Sequence, residues 1–215
     1  MNTDPPKGTD LIRLFPQPAE SRPLEGLYLD TPLVAPERKD RCFVYSNYVT
    51  SLDGRISMVR PADGREVVPA SIANPRDWRL FQELAGHADV LITSGRYLRD
   101  LRAGHAQDVL PVGSAEAFAD IREARRERGL RPQPDVAVLS GSADFPVPPA
   151  LLEQGRQVHV FAPASAPTGN LEARRAQGAS LETVPNTTRV GGRHIVSRLS
   201  ALGYRRVYCV TGPYV

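Results

Sequence analysis

The sequence predicts an α/β fold, a mostly parallel central sheet with helices on both faces. Three observations carry that prediction. From residue 42 onward, short runs rich in Val, Leu, Ile and Tyr alternate with segments of helical periodicity. Several runs are apolar at successive positions, as strands covered on both faces require. Glycines stand just past three helical segments, at Gly129, Gly178 and Gly203, where a left-handed backbone closes a helix.

The elements follow in order. Residues 1–41 hold Pro5, Pro6, Pro16, Pro18, Pro23, Pro32 and Pro36, with one apolar knot at 11–15. They read as an extended arm, frayed at its start, with the knot docked on the body. The remainder, 42–215, reads as one α/β domain. A strand over 42–49 runs into a polar turn built on Ser51, Asp53 and Gly54. Asn74-Pro75-Arg76-Asp77 is a helix start, with an N-cap asparagine, proline at the first helical position and an acid in the first turn. Trp78, Phe81, Leu84 and Ala85 give that helix its apolar stripe. A buried strand over 88–93, a helix over 115–128 and a strand over 135–139 come next. A short helix at 150–154 leads to a strand at 157–162, and a helix at 171–177 to a strand at 180–184. A helix over 193–202 and a strand over 206–210 complete the pattern.

Composition narrows the functional classes. Of 215 residues, 41% are hydrophobic and 24% charged, which suits a packed globular core. The 27 basic and 24 acidic residues leave a net charge of +3 with no polybasic block, which argues against nucleic acid as the partner. Arg122, Arg125, Arg126 and Arg128, interleaved with Glu123 and Glu127, read as a solvated helix face. Cys42 and Cys209 lie in apolar runs and read as buried free thiols. The four histidines show no metal-ligand spacing. No signal core and no membrane-length apolar run is present, so the expectation is a cytoplasmic protein.

Parallel sheets bind ligands outside the carboxyl ends of their strands. In this chain those ends carry Thr50, Ser51 and Asp53; Thr93, Ser94, Gly95 and Arg96; Ser140, Gly141 and Ser142; Pro163, Ala164 and Ser165; and Thr211 and Gly212. Thr93 to Arg96 reads either as a loop whose amides approach a phosphate gripped by Arg96, or as a turn with a solvated arginine. Asp53-Gly54 reads either as a ligand contact or as a strand-ending turn capped by its own carboxylate. The dinucleotide fingerprint GxGxxG, the phosphate loop GxxxxGK[ST] and the nucleophile elbow GxSxG are all absent from the sequence. Gly191-Gly192 reads as the start of the last helix.

Three stretches together resemble a known family. They are the strand leading into Ser51-Leu52-Asp53-Gly54-Arg55, the helix at 77–81 followed by 88–96, and the helix at 195–202 followed by Gly203 and a strand ending in Thr211-Gly212. They are similar to the reductase domain of bifunctional riboflavin-biosynthesis proteins, which shares its fold with dihydrofolate reductase. The likeness runs from Arg13-Leu14-Phe15-Pro16 to the last strand.

The resemblance implies an NADPH-dependent, homodimeric reductase of 5-amino-6-(5-phosphoribosylamino)uracil or a similar pyrimidine. Hydride from the nicotinamide would reduce C1′ of the ribosyl group. The two ligands are chiefly positioned, so no catalytic acid or base is named. By the same resemblance, Asn47, Thr50, Ser51 and Asp53 line the substrate and nicotinamide side. Thr93, Ser94, Gly95 and Arg96 border the cofactor, with Thr211 and Gly212 beneath its pyrophosphate.

The chain departs from the family at Asn47, where many members carry lysine, and at Thr211-Gly212-Pro213, where they carry a Glu-Gly-Gly turn. The family pattern also predicts a further helix and strands, some antiparallel, beyond Val215. Without them, the last strand is expected at an open edge with Val207, Tyr208 and Val210 partly uncovered. The departures leave two other readings: reduction of another small carbonyl or pteridine-like substrate, and a non-catalytic protein that binds a nucleotide.

Overall fold

A computed structural model of the chain describes residues 10–15, 17–33, 41–69, 71–72, 74–185 and 187–211. In chain order these form β1 (Asp10–Arg13), β2 (Glu20–Pro23), β3 (Phe43–Ser46), β4 (Met58–Val59), β5 (Glu66–Val67), α1 (Pro75–His87), β6 (Val90–Ser94) and α2 (Gly95–Arg102). A 3-10 turn (Glu116–Phe118) then runs into α3 (Ala119–Glu127). After it come β7 (Asp135–Leu139), α4 (Pro149–Glu153), β8 (Val158–Pro163), α5 (Thr168–Ala176), β9 (Ser180–Val184), α6 (Gly192–Ala201) and β10 (Arg206–Cys209). The chain divides into two compact units. Met1–Leu33, Asn47–His87 and Val112–Gly129 form the first; Val34–Ser46, Ala88–Pro111 and Leu130–Val215 form the second.

The second unit is built on a six-stranded sheet of order β3-β10-β6-β7-β8-β9, in which every pair is parallel. Its central strands are covered on both faces, as their apolar runs require: Val90, Leu91, Val136, Val138, Val158 and Val160 are all buried. On one face, Ile195 and Leu199 of α6 pack against Val90, Ile92, Ala137, Phe161 and Val207. The connections holding α2, α4 and α5 step outward from β6 to β9, while α6 returns from β9 to β10. Right-handed crossovers therefore place α6 on the opposite face from the other three.

The position of β10 differs from the expectation. The sequence reading puts the last strand at an open edge; the structure inserts it between β3 and β6, with Val207 and Tyr208 fully buried. The reason is the return crossover of α6, which carries the chain back over three strands. Two carboxylates fasten the amino ends of the strands. Asp89 accepts hydrogen bonds from the amides of Arg205 (2.8 Å) and Arg206 (2.7 Å). Asp135 accepts from the amide of Gln157 (2.7 Å) and from the Tyr204 hydroxyl (2.9 Å). Cys42 and Cys209 are free thiols, the first buried and the second half-buried.

In the first unit, β1 and β2 form one antiparallel ribbon and β4 and β5 another. The knot at 11–15 does not dock: β1 is a ribbon strand that leaves Ile12, Leu14 and Phe15 largely exposed, and Leu24 and Leu29 are the buried anchors of the arm. Helix α1 starts as the sequence predicts, with the Asn74 side chain accepting from the Asp77 amide at 3.0 Å. It packs closely on α3. A Cβ on Gly86 would stand 2.6 Å from Ile121, so only glycine fits there.

This unit has a charged interior. Arg79 and Glu83 are both fully buried and paired at 2.8 Å, and Arg79 also bonds Asp120 and the Ala117 carbonyl. Glu83 in turn accepts from the amides of Gly26 (2.7 Å), Tyr28 (2.8 Å) and Leu29 (3.1 Å), which pins residues 26–29 to α1. Arg125, expected on a solvated face, is buried instead. Its guanidinium donates to the Ala85 and Gly86 carbonyls at 3.2 Å each, at the negative end of the α1 dipole.

Candidate functional site

The carboxyl ends of β10, β6 and β7 carry the best-formed rim of the second unit. The expected loop at 93–96 is a direct strand-to-helix junction. Ser94 ends β6 with extended dihedrals and caps α2, its Oγ accepting from the Tyr97 amide at 3.1 Å. Helix α2, absent from the sequence reading, begins at Gly95. Tyr97 secures it: the hydroxyl donates to the Gln107 carbonyl (2.9 Å) and accepts from the Val109 amide (3.0 Å). Burial pushes the Tyr97 phenol well above its ordinary pKa, so it stays a neutral donor.

Gly95 is a packing requirement. A Cβ there would stand 2.7 Å from the Phe145 ring and 2.9 Å from Ser140 Oγ, so the segment after β7 approaches the junction as closely as backbone allows. Ser140 holds that segment in shape by accepting from the Ala143 amide at 3.0 Å, and Ala143 takes a left-handed φ of 52°. Gly141 and Ser142 are exposed beside it.

Thr93 is fully buried, and its hydroxyl has no hydrogen-bond partner among the described residues. Such a group costs stability unless something else satisfies it. On the neighbouring strand the Val210 amide donates to the Ile92 carbonyl at 3.0 Å, which sets buried Thr211 beside the end of β6; Thr211 Oγ1 lies 3.4 Å from Cys209 Sγ. Arg96 is exposed on the first turn of α2, with Nε 3.9 Å from Asp100. Gly212 and Pro213 lie outside the described residues. Ala164 and Ser165, after β8, are exposed; Ser165 donates to the Thr187 carbonyl at 3.4 Å.

The other predicted residues belong to the first unit. Ser51 to Arg55 form a closed turn: the Ser51 amide donates to the Arg55 carbonyl and the Gly54 amide to the Ser51 carbonyl, both at 2.9 Å, with Gly54 at a φ of 81°. Asp53 sits in this turn, bonded by the Ser51 hydroxyl and paired with Arg55 at 3.1 Å. The Ser51 hydrogen bond, with help from Arg55, holds its carboxyl below the ordinary value. Thr50 is exposed. Asn47 is half-buried and its side chain bonds Asp77 in the first turn of α1, opposing the upward push that burial gives the Asp77 pKa.

Two features of the rim fit a phosphate-bearing dinucleotide. Thr93 has a buried hydroxyl that no group among the described residues satisfies, and α2 presents the positive end of its dipole at the junction. Sequence reasoning missed Ser140 as the latch of the segment after β7; a serine three residues before a left-handed alanine carries no motif. Among the described residues, no cluster of His, Cys, Asp or Glu is placed to hold a metal ion, and no helix is long and apolar enough to cross a membrane.

The fold has a counterpart among solved structures. The chain is similar to a pyrimidine reductase-like protein from Corynebacterium diphtheriae, with a TM-score of 0.58 at 18% sequence identity, over 79% of this chain and 65% of that one. The chain thus spans somewhat less than two thirds of that protein's length. No protein-family model matches the sequence, and no curated protein matches it.

Proposed function

We propose that this protein is an NADPH-dependent reductase of a small pyrimidine, of the kind that converts 5-amino-6-(5-phosphoribosylamino)uracil to its ribityl form. The observation that carries the reading is the rim of β6. There a buried, unpartnered Thr93 hydroxyl, the Ser94-capped start of α2 and a glycine with no room for a side chain stand together at the carboxyl edge of a parallel sheet. The similarity in fold to a pyrimidine reductase-like protein supports it.

The reduced nicotinamide, when bound, supplies the hydride. Thr93 would donate or accept at the cofactor, and the α2 dipole would favour its phosphates. Arg96, exposed at the same helix end, has the reach and charge for an anion. Thr211 would complete the rim from β10, and Gly212 is proposed for the pyrophosphate on the resemblance alone. Asn47, Thr50, Ser51 and Asp53 are proposed for the substrate, on the resemblance alone. Reduction of a different small carbonyl is the second reading, favoured by Asn47 standing where a lysine is usual. The same likeness makes a homodimer part of the proposal.

Calorimetric titration of the intact chain with NADPH and with NADH tests it first, followed by turnover with the aminopyrimidine. Saturable NADPH binding and loss of reduced-nicotinamide absorbance on adding substrate are expected. Absence of binding by either dinucleotide would overturn the reductase reading; binding without turnover would move the assignment to another substrate.

A further inference from the structure

The second unit contains a cleft of about 380 Å³ that the reductase reading does not use, lined by Arg99, Arg102, Asp144, Phe145, Arg174 and Gln177, with Ala103 and Pro146. Its size lies in the range of small-ligand sites, roughly 300–1,000 Å³. Its charge is one-sided, with three guanidinium groups against the carboxylate of Asp144.

Several arginines elsewhere in the chain are matched with acids: Arg79 with Glu83 and Asp120, Arg126 with Glu123, Arg131 with Asp135, and Arg198 with Glu182, whereas Arg125 and Arg156 are met by backbone carbonyls. Among the described residues, none of the three cleft arginines is in an ion pair, and Arg174 feels the carboxylate of Asp144, whose charge opposes the downward push of burial on its pKa. Two of them are held by backbone carbonyls, and Arg102 is exposed. Arg99 donates to the Asp144 carbonyl at 2.5 Å, and Arg174 to the Ala143 carbonyl at 3.3 Å. Arg174 also lies over the Phe145 ring, 5.4 Å from its centroid, and its buried Nε has no hydrogen-bond partner.

A position near the C-terminal end of α2 would by itself suit Arg99 and Arg102, which favour the negative end of a helix dipole. That does not account for Arg174, which comes from α5 and lines the same cleft. A third guanidinium beside Arg99 and Arg102 adds like charge to the cleft, and an anion offsets it.

We infer that this cleft is a binding site for a small phosphate-bearing anion, gripped by Arg99, Arg102 and Arg174. Guanidinium forks match phosphate oxygens two at a time, and Gln177 adds a neutral donor at the edge. The site is separate from the Thr93–Gly95 rim in the residues it uses, yet both are built on the segment from Ser140 to Pro146. Ser140 packs on Gly95, and the Ala143 and Asp144 carbonyls hold the arginines. Phosphate bound in the cleft therefore bears on the same backbone that shapes the rim.

The test is calorimetric titration of the full chain at low salt with inorganic pyrophosphate, 5′-AMP and 2′,5′-ADP. Saturable binding of at least one, weakening as salt is raised, is expected. The exposed pair Arg99→Gln/Arg102→Gln should weaken it by roughly tenfold or more, since hydrogen bonds to charged groups contribute on that scale. Arg174→Gln, checked for folding by circular dichroism, should do the same, and Arg175→Gln, on the exposed side of α5, should bind as the parent does. Where the double variant binds more weakly, preference for pyrophosphate assigns the phosphate to a free anion and preference for a nucleotide assigns it to a phosphorylated nucleoside; either then upholds the site. No saturable binding by the parent, or unchanged binding by the double variant, overturns it. Because 5′-AMP and 2′,5′-ADP are also fragments of the dinucleotide proposed for the rim, the double variant separates the two readings: binding lost in Arg99→Gln/Arg102→Gln belongs to the cleft, while NADPH titration of the same variant tests the rim.

Discussion

Replacing Thr93 with valine separates folding from binding by sign. Thr93 is fully buried on β6 and its hydroxyl has no partner, so the folded protein bears the desolvation of that group without return. Burying an unpaired hydroxyl costs about 1–3 kcal/mol on protein mutational scales. Valine keeps the volume and the β-branched shape that a central strand favours. Thr93→Val is therefore expected to stabilise the protein by about 1 kcal/mol, which for a chain of this size is a rise in Tm of about 2–4 °C. If the hydroxyl is reserved for the cofactor, the same change removes one hydrogen bond from the complex, a loss of about 3- to 10-fold in NADPH affinity. Thermal unfolding and calorimetric titration of the same preparation read both. A misfolded variant would lose stability and affinity together, whereas the prediction is opposite signs. A lowered Tm would show that the hydroxyl has a protein partner, and unchanged affinity would remove Thr93 from the cofactor site.

Four further outcomes are expected. Glu83→Ala leaves Arg79 charged and buried and deprives three backbone amides of their acceptor, so urea unfolding should register a loss of about 3–5 kcal/mol; a loss below about 1 would mean the pair is not buried as described. Burial holds the His159 pKa below 6.5, against the pull of Asp135 and Glu182, so the unfolded chain takes up its proton first; stability should be full above pH 6.5 and fall as pH drops below it. His159 Nδ1 has no acceptor to receive that proton, and His159→Gln should flatten the slope between about pH 5 and pH 7; an unaltered slope would assign it to other groups. Gly95→Ala drives a Cβ against Phe145 and should cost about 1–3 kcal/mol, with Phe145→Leu restoring part of it in the double variant; additive losses would mean the two do not touch. Asp53→Ala should leave Tm nearly unchanged because the side chain is exposed, while lowering turnover if the carboxylate meets substrate; full turnover would reduce Asp53 to a turn residue.

The sheet was legible in the sequence because the strands at 135–139 and 158–162 are short apolar-rich runs between helical segments, and because Gly129, Gly178 and Gly203 each adopt the positive φ that ends a helix. Helix α2 was not legible. Its sequence, GRYLRDLR, buries no large side chain except Leu98 and follows β6 with no linker, so local pattern reads it as loop. Strand order was hidden because the pairing of β10 with β3 is decided by α6 crossing back, not by anything within either strand. The buried guanidinium groups of Arg79 and Arg125 were hidden for a different reason: composition assigns arginine to solvent, and only the carbonyls and carboxylates that meet them make burial tolerable. At the candidate site, the residue types at the strand ends were visible beforehand. The exceptional ones among them were not, since the orphaned hydroxyl of Thr93 and the closeness of Phe145 to Gly95 depend on neighbours far along the chain.

The insertion of β10 has a consequence for biosynthesis. β3 emerges from the ribosome first of the six sheet strands and β10 last, roughly 160 residues later, which is on the order of ten seconds of translation or more. Among the described residues β3 pairs only with β10 in the sheet, so throughout that interval its sheet partner has not yet been made. The nascent protein must carry Phe43, Val44 and Tyr45 as an unclaimed strand beside a sheet with a vacant slot. That slot, between β3 and β6, is where a chaperone or a neighbouring nascent chain would intervene.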